Sequence, residues 1–568
     1  MLTRSRLLRS AGGVLLTLLL GPAAARATKG RARSAPAFTV ANGGPRYAGD
    51  RPLFATVSPG VPGRDTAVVR FNLNRPADVT LEAVRAARHL TTVAWQTEGH
   101  LPPGLHEISW TPDPATPVGS WVIRPTLTYP DGSTTVIGTR RPASVDRQEA
   151  PVVRVLGVEA SFLRRSYTPG EQMELQILAD APTLTLQFLR CGAEDPHLSA
   201  DRNDELVGAL EGDPVQLDWT GKRSAPATIT VQTGAWPSGV YAARLTTDDG
   251  RVGFAPFVLL PQTPGAVRQL VVIPTNTWQA YNMYDRDGDG WGDTWYAGGN
   301  PPVALNRPYR DRGVPPHFKS YDRAFLRWLA RTGKRPDVVS EDDLEAFASG
   351  DDLRALYDLV VFPGHSEYET SHAFDVVERY RDLGGRLIFL SADNFFWRVD
   401  KDGDSMRRIT PWRSVGRPEA GLCGAEYRAN DGGTHQGMYT VVAAEAAPWL
   451  FNGTGLATGS TFGEDVGGFG IEIDSTTPDS PPGTVVLARI SDLFGPGLSA
   501  EMSYYETAAG ARVFAAGTLD FGGSVNFWPM NKMLDNLWQH MLEDVPPIPQ
   551  PPPQQPQQPP PPPPPAPS

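Results

Sequence analysis

The feature that most constrains the fold is a change of hydrophobic period near Ala266. From about Phe38 to Val145, runs such as Thr66-Ala-Val-Val-Arg-Phe-Asn-Leu73 and Gly119-Ser-Trp-Val-Ile-Arg-Pro-Thr-Leu-Thr-Tyr129 alternate between Pro, Gly and Asp turns, the pattern of half-buried strands in a β-sandwich. A second set, with Val152-Val-Arg-Val-Leu156, Met173 to Leu178, Ala227 to Val231 and Tyr241 to Thr247, predicts another. Residues 38–145 and 150–262 thus read as tandem Ig-like β-sandwiches. From Val267-Arg-Gln-Leu-Val-Val-Ile-Pro274 onward, continuous apolar strands (Tyr357 to Pro363, Arg386 to Leu390) alternate with helical patterns (Ala324 to Ala330, Phe374 to Leu383). That alternation implies a parallel, doubly wound α/β sheet over residues 266–545, with β-rich additions from about Gly421 to Val513 and a closing helix at Asn531 to Leu542.

The two ends are of another character. Arg4, Arg6 and Arg9 lead into Gly13-Val-Leu-Leu-Thr-Leu-Leu-Leu20, and Ala25-Arg26-Ala27 offers small residues for cleavage, so residues 1–27 are expected to be a signal peptide. The expected location is secreted, in the periplasm or elsewhere in the cell envelope. Residues 546–568 are almost wholly Pro and Gln and predict an extended, disordered tail. No later apolar run is long enough to span a membrane.

The formal charge is −11 and no Lys/Arg cluster follows the leader, which argues against nucleic acid as a partner. The two cysteines, Cys191 and Cys423, fall in different expected domains and form neither a CxxC metal site nor a disulfide framework. They read as buried free thiols, with one interdomain disulfide left open. Self-association into a homo-oligomer is also left open.

Chemistry concentrates after the strands. Phe362-Pro-Gly-His365-Ser-Glu367-Tyr368-Glu369 follows one buried strand and Ser391-Ala-Asp393-Asn394 the next, at the edge where open α/β sheets bind ligands. Such residues also make turns and cap helices, and position alone leaves both readings open. Asp285-Arg-Asp287-Gly-Asp289-Gly290-Trp291-Gly-Asp293 has the spacing of a calcium loop. Asp285, Asp287, Asp289 and Asp293 would offer carboxylates and Trp291 its carbonyl, although Tyr296 stands where an EF-hand has Glu.

Two further segments, Thr275-Asn-Thr-Trp-Gln-Ala-Tyr281-Asn282 and His317-Phe-Lys-Ser-Tyr321-Asp322, join these in a specific pattern. With GHSEY and Asn394, they resemble the C-terminal domain of the N,N-dimethylformamidase large (beta) subunit family, over roughly Ala266 to Val545. The resemblance implies a fold like the class I glutamine amidotransferases and a mononuclear ferric iron held by Tyr281, Tyr321 and Glu367. It implies His365 and Asn394 as polar active-site residues, with Glu472 as a further catalytic carboxylate. Phenolates and carboxylates are hard donors suited to Fe(III), which would polarise an amide carbonyl or acidify water. No cysteine lies near His365, and GHSEY lacks the last glycine of a GxSxG elbow, so a thiol or serine nucleophile is not expected.

The sequence departs from that family in its leader, its sandwich-like first half and the acidic loop after Tyr281. The family enzyme also works with a small second subunit, which nothing here encodes. The expectation is an exported, iron-dependent hydrolase of a C–N bond in a small amide. The alternative is a non-enzymatic surface protein that keeps the fold and binds carbohydrate or protein.

Overall fold

The computed structural model describes residues 36–85, 92–193 and 205–544. The expected signal peptide and Pro/Gln tail lie outside the described residues. β-strands grouped in several sheets dominate the chain, and helices are few.

The strands Phe38–Asn42, Ala67–Leu73 and Gly104–Trp110 form one sheet, which faces a larger one containing Phe54–Val57, Ala77–Arg85 and Gly119–Thr128. Alternate side chains point inward, and Val69, Phe71, Leu81 and Val122 meet in one core. Val152–Val155, expected to open the second set of strands, instead pairs with Phe54–Val57 and Gly119–Thr128 and completes this first layer pair. Alternation identifies a strand but not its partner.

A second pair of sheets follows. Val158–Phe162, Gln172–Ala179 and Ala227–Gln232 face a five-stranded sheet that includes Thr183–Cys191, Gly239–Thr247 and Val252–Leu259. Leu175, Ile177, Leu186 and Phe257 fill the space between them.

Beyond Ala266 a nine-stranded sheet takes over. Its five parallel strands, in chain order Gln269–Ile273, Asp337–Ser340, Leu359–Phe362, Arg386–Phe389 and Arg512–Ala515, lie side by side in the order second, first, third, fourth, fifth. Both faces are buried, as the continuous apolar runs require. Val271, Ile273, Val361, Ile388 and Phe514 pack on one face with Trp328 of the helix Arg323–Thr332 and Leu537 of the helix Met530–Met541. Leu270, Val272, Val360, Leu387 and Val513 pack on the other with Phe374 and Tyr380 of the helix Ser371–Asp382. Four antiparallel strands extend the sheet on the side of Arg512–Ala515.

The acidic segment after Tyr281 lies on the first sandwich. Trp291 and Ala297 are part of that sandwich's core, and Gly290, at φ 92°, passes so near that a Cβ there would sit 2.6 Å from Val122. Cys191 and Cys423 are both buried, and no disulfide joins them. No helix among the described residues is long and apolar enough to cross a membrane.

Candidate active site

In a sheet of this strand order, the crevice between the carboxyl ends of the first and third parallel strands is where ligands bind. The first strand, Gln269–Ile273, runs through Pro274 into the helix Thr275–Tyr281, which ends on Tyr281. The third, Leu359–Phe362, is followed by Gly364, His365 and Glu367. Both deliver their side chains to that crevice.

The motif residues hold these segments together. Trp278 Nε1 donates to Asp322 Oδ2 at 3.0 Å, and a Cβ on Gly364 would fall 2.0 Å from Asp322 Oδ1. Only glycine lets the segment bearing His365 approach the one bearing Tyr321. Thr277 Oγ1 accepts the backbone N–H of Glu367 at 3.1 Å, and Asn276 Nδ2 donates to the Tyr368 carbonyl at 3.0 Å. Thr275-Asn-Thr-Trp is therefore a clamp on Gly-His-Ser-Glu-Tyr.

At the centre, the Tyr281 hydroxyl donates to Glu367 Oε2 at 2.9 Å, and His365 Nε2 lies 3.1 Å from the same oxygen. Glu472 Oε2 is 3.7 Å from His365 Nε2. His365, Glu367 and Glu472 are all buried. Burial pulls the His365 imidazole down, but the bond to Glu367 and the charge of Glu472 outweigh it and raise the pKa to about 9. Burial raises Glu472, opposed in part by His365, and its other oxygen takes a hydrogen bond from Asn430. Burial, with the charge of Glu367, keeps the Tyr281 phenol well above its ordinary value.

Asn394 is buried, donates to the Ser391 carbonyl at 2.9 Å and has an unpartnered Oδ1. Tyr321 packs beside Ala392 and Leu519, with its ring 5.2 Å from that of His317. Burial, and then the charge of Glu472, raise its phenol. Among the described residues no hydrogen bond joins Tyr321 to Tyr281 or Glu367. The structure thus gathers Tyr281, His365, Glu367 and Glu472 into one bonded cluster and leaves Tyr321 at its margin.

Two neighbours were not singled out from the sequence. Asp393 is buried with an unpartnered Oδ1, and its carboxylate, His365 and Glu472 each offer a ligand atom within 4.8 Å of the others. The Tyr296 hydroxyl lies 3.5 Å from both oxygens of Glu367. Asp393 and Phe395, at φ 55° and 57°, flank Asn394, while Ile471, at φ 67°, precedes Glu472. Left-handed backbone is a genuine outlier for a β-branched residue and clusters at functional sites, which makes Ile471 a marker sequence periodicity could not supply.

The unpartnered buried oxygens of Asp393 and Glu472, beside Glu367 and two phenols, form an excess of hard oxygen donors. His365, whose pKa these neighbours raise, offsets part of that charge. Such an excess fits a bound multivalent cation.

The acidic loop is more self-contained. Asp285, Asp287 and Asp289 each offer an oxygen within 4.8 Å of one another. Asp285 accepts the N–H groups of Gly288 and Gly290 at 2.7 and 3.0 Å. Arg141, from beside the first sandwich, donates to Asp289 at 3.0 Å and to Asp293 at 3.1 Å. A guanidinium thus already serves two of the five expected calcium ligands.

The family model described as N,N-dimethylformamidase beta subunit-like, C-terminal, matches residues 209–536, more than half of the chain. The chain belongs to that family. The dimethylformamidase-like match begins ahead of Ala266, in the strand Gly208–Asp218 of the second pair of sheets. The N,N-dimethylformamidase beta subunit of Paracoccus aminophilus is 24% identical over 330 residues, covering 47% of this chain and 42% of that protein. The protein of the same name from an Alcaligenes species is 23% identical over 329 residues, with the same coverage. The chain therefore matches less than half the length of these relatives. Among solved structures, Escherichia coli alpha-2-macroglobulin activated by porcine elastase matches 40% of this chain and 20% of its own at 14% identity, with a TM-score of 0.16 that bears on nothing further.

Proposed function

We propose that this dimethylformamidase-like chain is a metal-dependent hydrolase of a small amide, with ferric iron held by Tyr281, Tyr321 and Glu367. Family membership supports amide hydrolysis. The observation that carries the site is the meeting of Tyr281, His365, Glu367 and Glu472 where the first and third parallel strands end. Two phenolates and one carboxylate balance the charge of Fe(III), which when bound would supply Lewis acidity toward the amide carbonyl.

The chain's own groups supply the proton transfers. Glu472 takes a proton from the attacking water as the new C–O bond forms. His365, whose Nε2 lies 3.7 Å from Glu472 Oε2, gives one to the departing amine nitrogen as the C–N bond breaks. Asn394 Oδ1, unpartnered and buried, offers an acceptor that orients the attacking water, or a substrate N–H where the amide carries one. The glutamine amidotransferase-like reading of the fold rests on the parallel strand order and the helices on both faces.

The Ig-like reading draws support from a tyrosine corner in the second pair of sheets, where Tyr241 Oη donates to the Pro237 carbonyl at 2.7 Å near the start of its strand. The export reading rests on residues 1–27, and the calcium reading on the clustered aspartates.

The test is turnover of N,N-dimethylformamide and other small linear amides by iron-loaded protein. His365→Ala and Glu472→Gln are expected to keep iron and lose at least about 100-fold in kcat, as removal of a general acid or base does. Full activity in His365→Ala would contradict the proposed proton transfer.

A further inference from the structure

More phenols surround Glu367 than the ferric site uses. The Tyr296 ring stacks on that of Tyr281, with centroids 4.4 Å apart and planes 26° from parallel. Its hydroxyl lies 3.5 Å from each carboxylate oxygen of Glu367. From behind, the fully buried Tyr368, the tyrosine of Gly-His-Ser-Glu-Tyr, hydrogen-bonds to the same hydroxyl.

Charge decides what this phenol can be. Two phenolates and a carboxylate already neutralise a ferric ion, and another phenolate would leave an uncompensated negative charge in a buried site. The Tyr296 hydroxyl sits 3.5 Å from both Glu367 oxygens, where a neutral phenol can donate. It therefore stays neutral and acts as a donor.

Its position depends on the first sandwich. The segment from Asp285 to Ala297 has Trp291 and Ala297 in that sandwich's core, Arg141 on Asp289 and Asp293, and Arg154 Nη2 on the Asp285 carbonyl at 2.9 Å. Tyr296 is the residue this anchored segment carries to the site.

Building on the ferric reading, we propose that Tyr296 is a positioning residue: it donates to Glu367 and fixes that carboxylate against Tyr281, while Tyr368 aims its hydroxyl. The first sandwich thereby builds one wall of the site.

Tyr296→Phe keeps the stacked ring and removes only the hydroxyl. In the iron-loaded variant the metal stoichiometry should be unchanged. The tyrosinate charge-transfer band should move to shorter wavelength, because Glu367 relieved of a donor binds the metal more strongly. kcat should fall by about 10–100-fold, as loss of an outer-shell partner does, with KM nearly constant. Tyr368→Phe should move the band the same way by less. An unchanged band and kcat in Tyr296→Phe would overturn the proposal, and so would loss of the iron, which would make Tyr296 a ligand.

Crystal structures of metal-free wild type and Tyr296→Phe form the second arm. Rotation of Glu367 away from Tyr281 in the variant would support the proposal, and an unmoved carboxylate would overturn it whether or not the protein takes up iron. A wild type that binds no iron strikes the ferric reading alone and leaves this arm to decide.

Discussion

Thr277 illustrates how the candidate site is held at the scale of single residues. Its hydroxyl accepts the N–H of Glu367, and the carboxylate of that residue then takes bonds from Tyr281 and His365. Thr277→Val keeps nearly the same shape and strands a buried N–H, a cost of about 1–3 kcal/mol. Urea unfolding of the metal-free protein should show that loss, and an unchanged midpoint would mean the bond carries no weight. His365 and Glu367 were legible from their place after a buried strand, Tyr281 and Glu472 through the family resemblance, and the structure brings these four residues together. Asp393 was quoted with its neighbours but not singled out, because its reach toward His365 and Glu472 depends on a left-handed backbone that no side-chain pattern announces. Tyr321, read from the same resemblance, stands at the margin of the bonded cluster.

At the scale of elements, the segment from Asp285 to Ala297 links the first sandwich to the site. Trp291 is buried in the sandwich core, so Trp291→Ala should cost about 3–5 kcal/mol and, by releasing Tyr296, also move the tyrosinate band of the iron-loaded protein to shorter wavelength. Thermal melts with visible spectra of the iron-loaded protein check both, and an unmoved band in a destabilised variant would separate the loop from the site. Calcium and Arg141 compete to explain the clustered aspartates. If calcium binds, the melting temperature should rise with the ion and fall with chelator in wild type, and neither should matter in Asp287→Ala. Indifference in both proteins would leave Arg141 as the loop's cation. Strands, helices and the change of period near Ala266 were readable because local alternation encodes them. The partner of Val152–Val155 and the seat of Trp291 were not, because both are contacts between distant parts of the chain.

The whole molecule concentrates buried acids on one sheet edge, and this sets its response to pH. Burial raises Asp322 to about 7 and Asp474 to about 8, both far above the unfolded value of 3.8. A carboxyl raised in the fold contributes stability that is present below its unfolded pKa and lost as pH rises through the folded one. His365, raised to about 9 from 6.5, acts in the same direction over a higher window. The metal-free protein should therefore lose melting temperature from about pH 5 to 8, and a bound cation should flatten the decline. A melting temperature that climbs over this range would contradict the reading of these groups as buried and uncompensated. Ferric titration of the purified chain, followed by visible absorption and metal analysis, tests the metal reading most directly. The predicted result is stoichiometric iron with a tyrosinate charge-transfer band in wild type, and loss of both in a still folded Tyr281→Phe. A colourless wild type that retains no stoichiometric iron under ample ferric supply would contradict it.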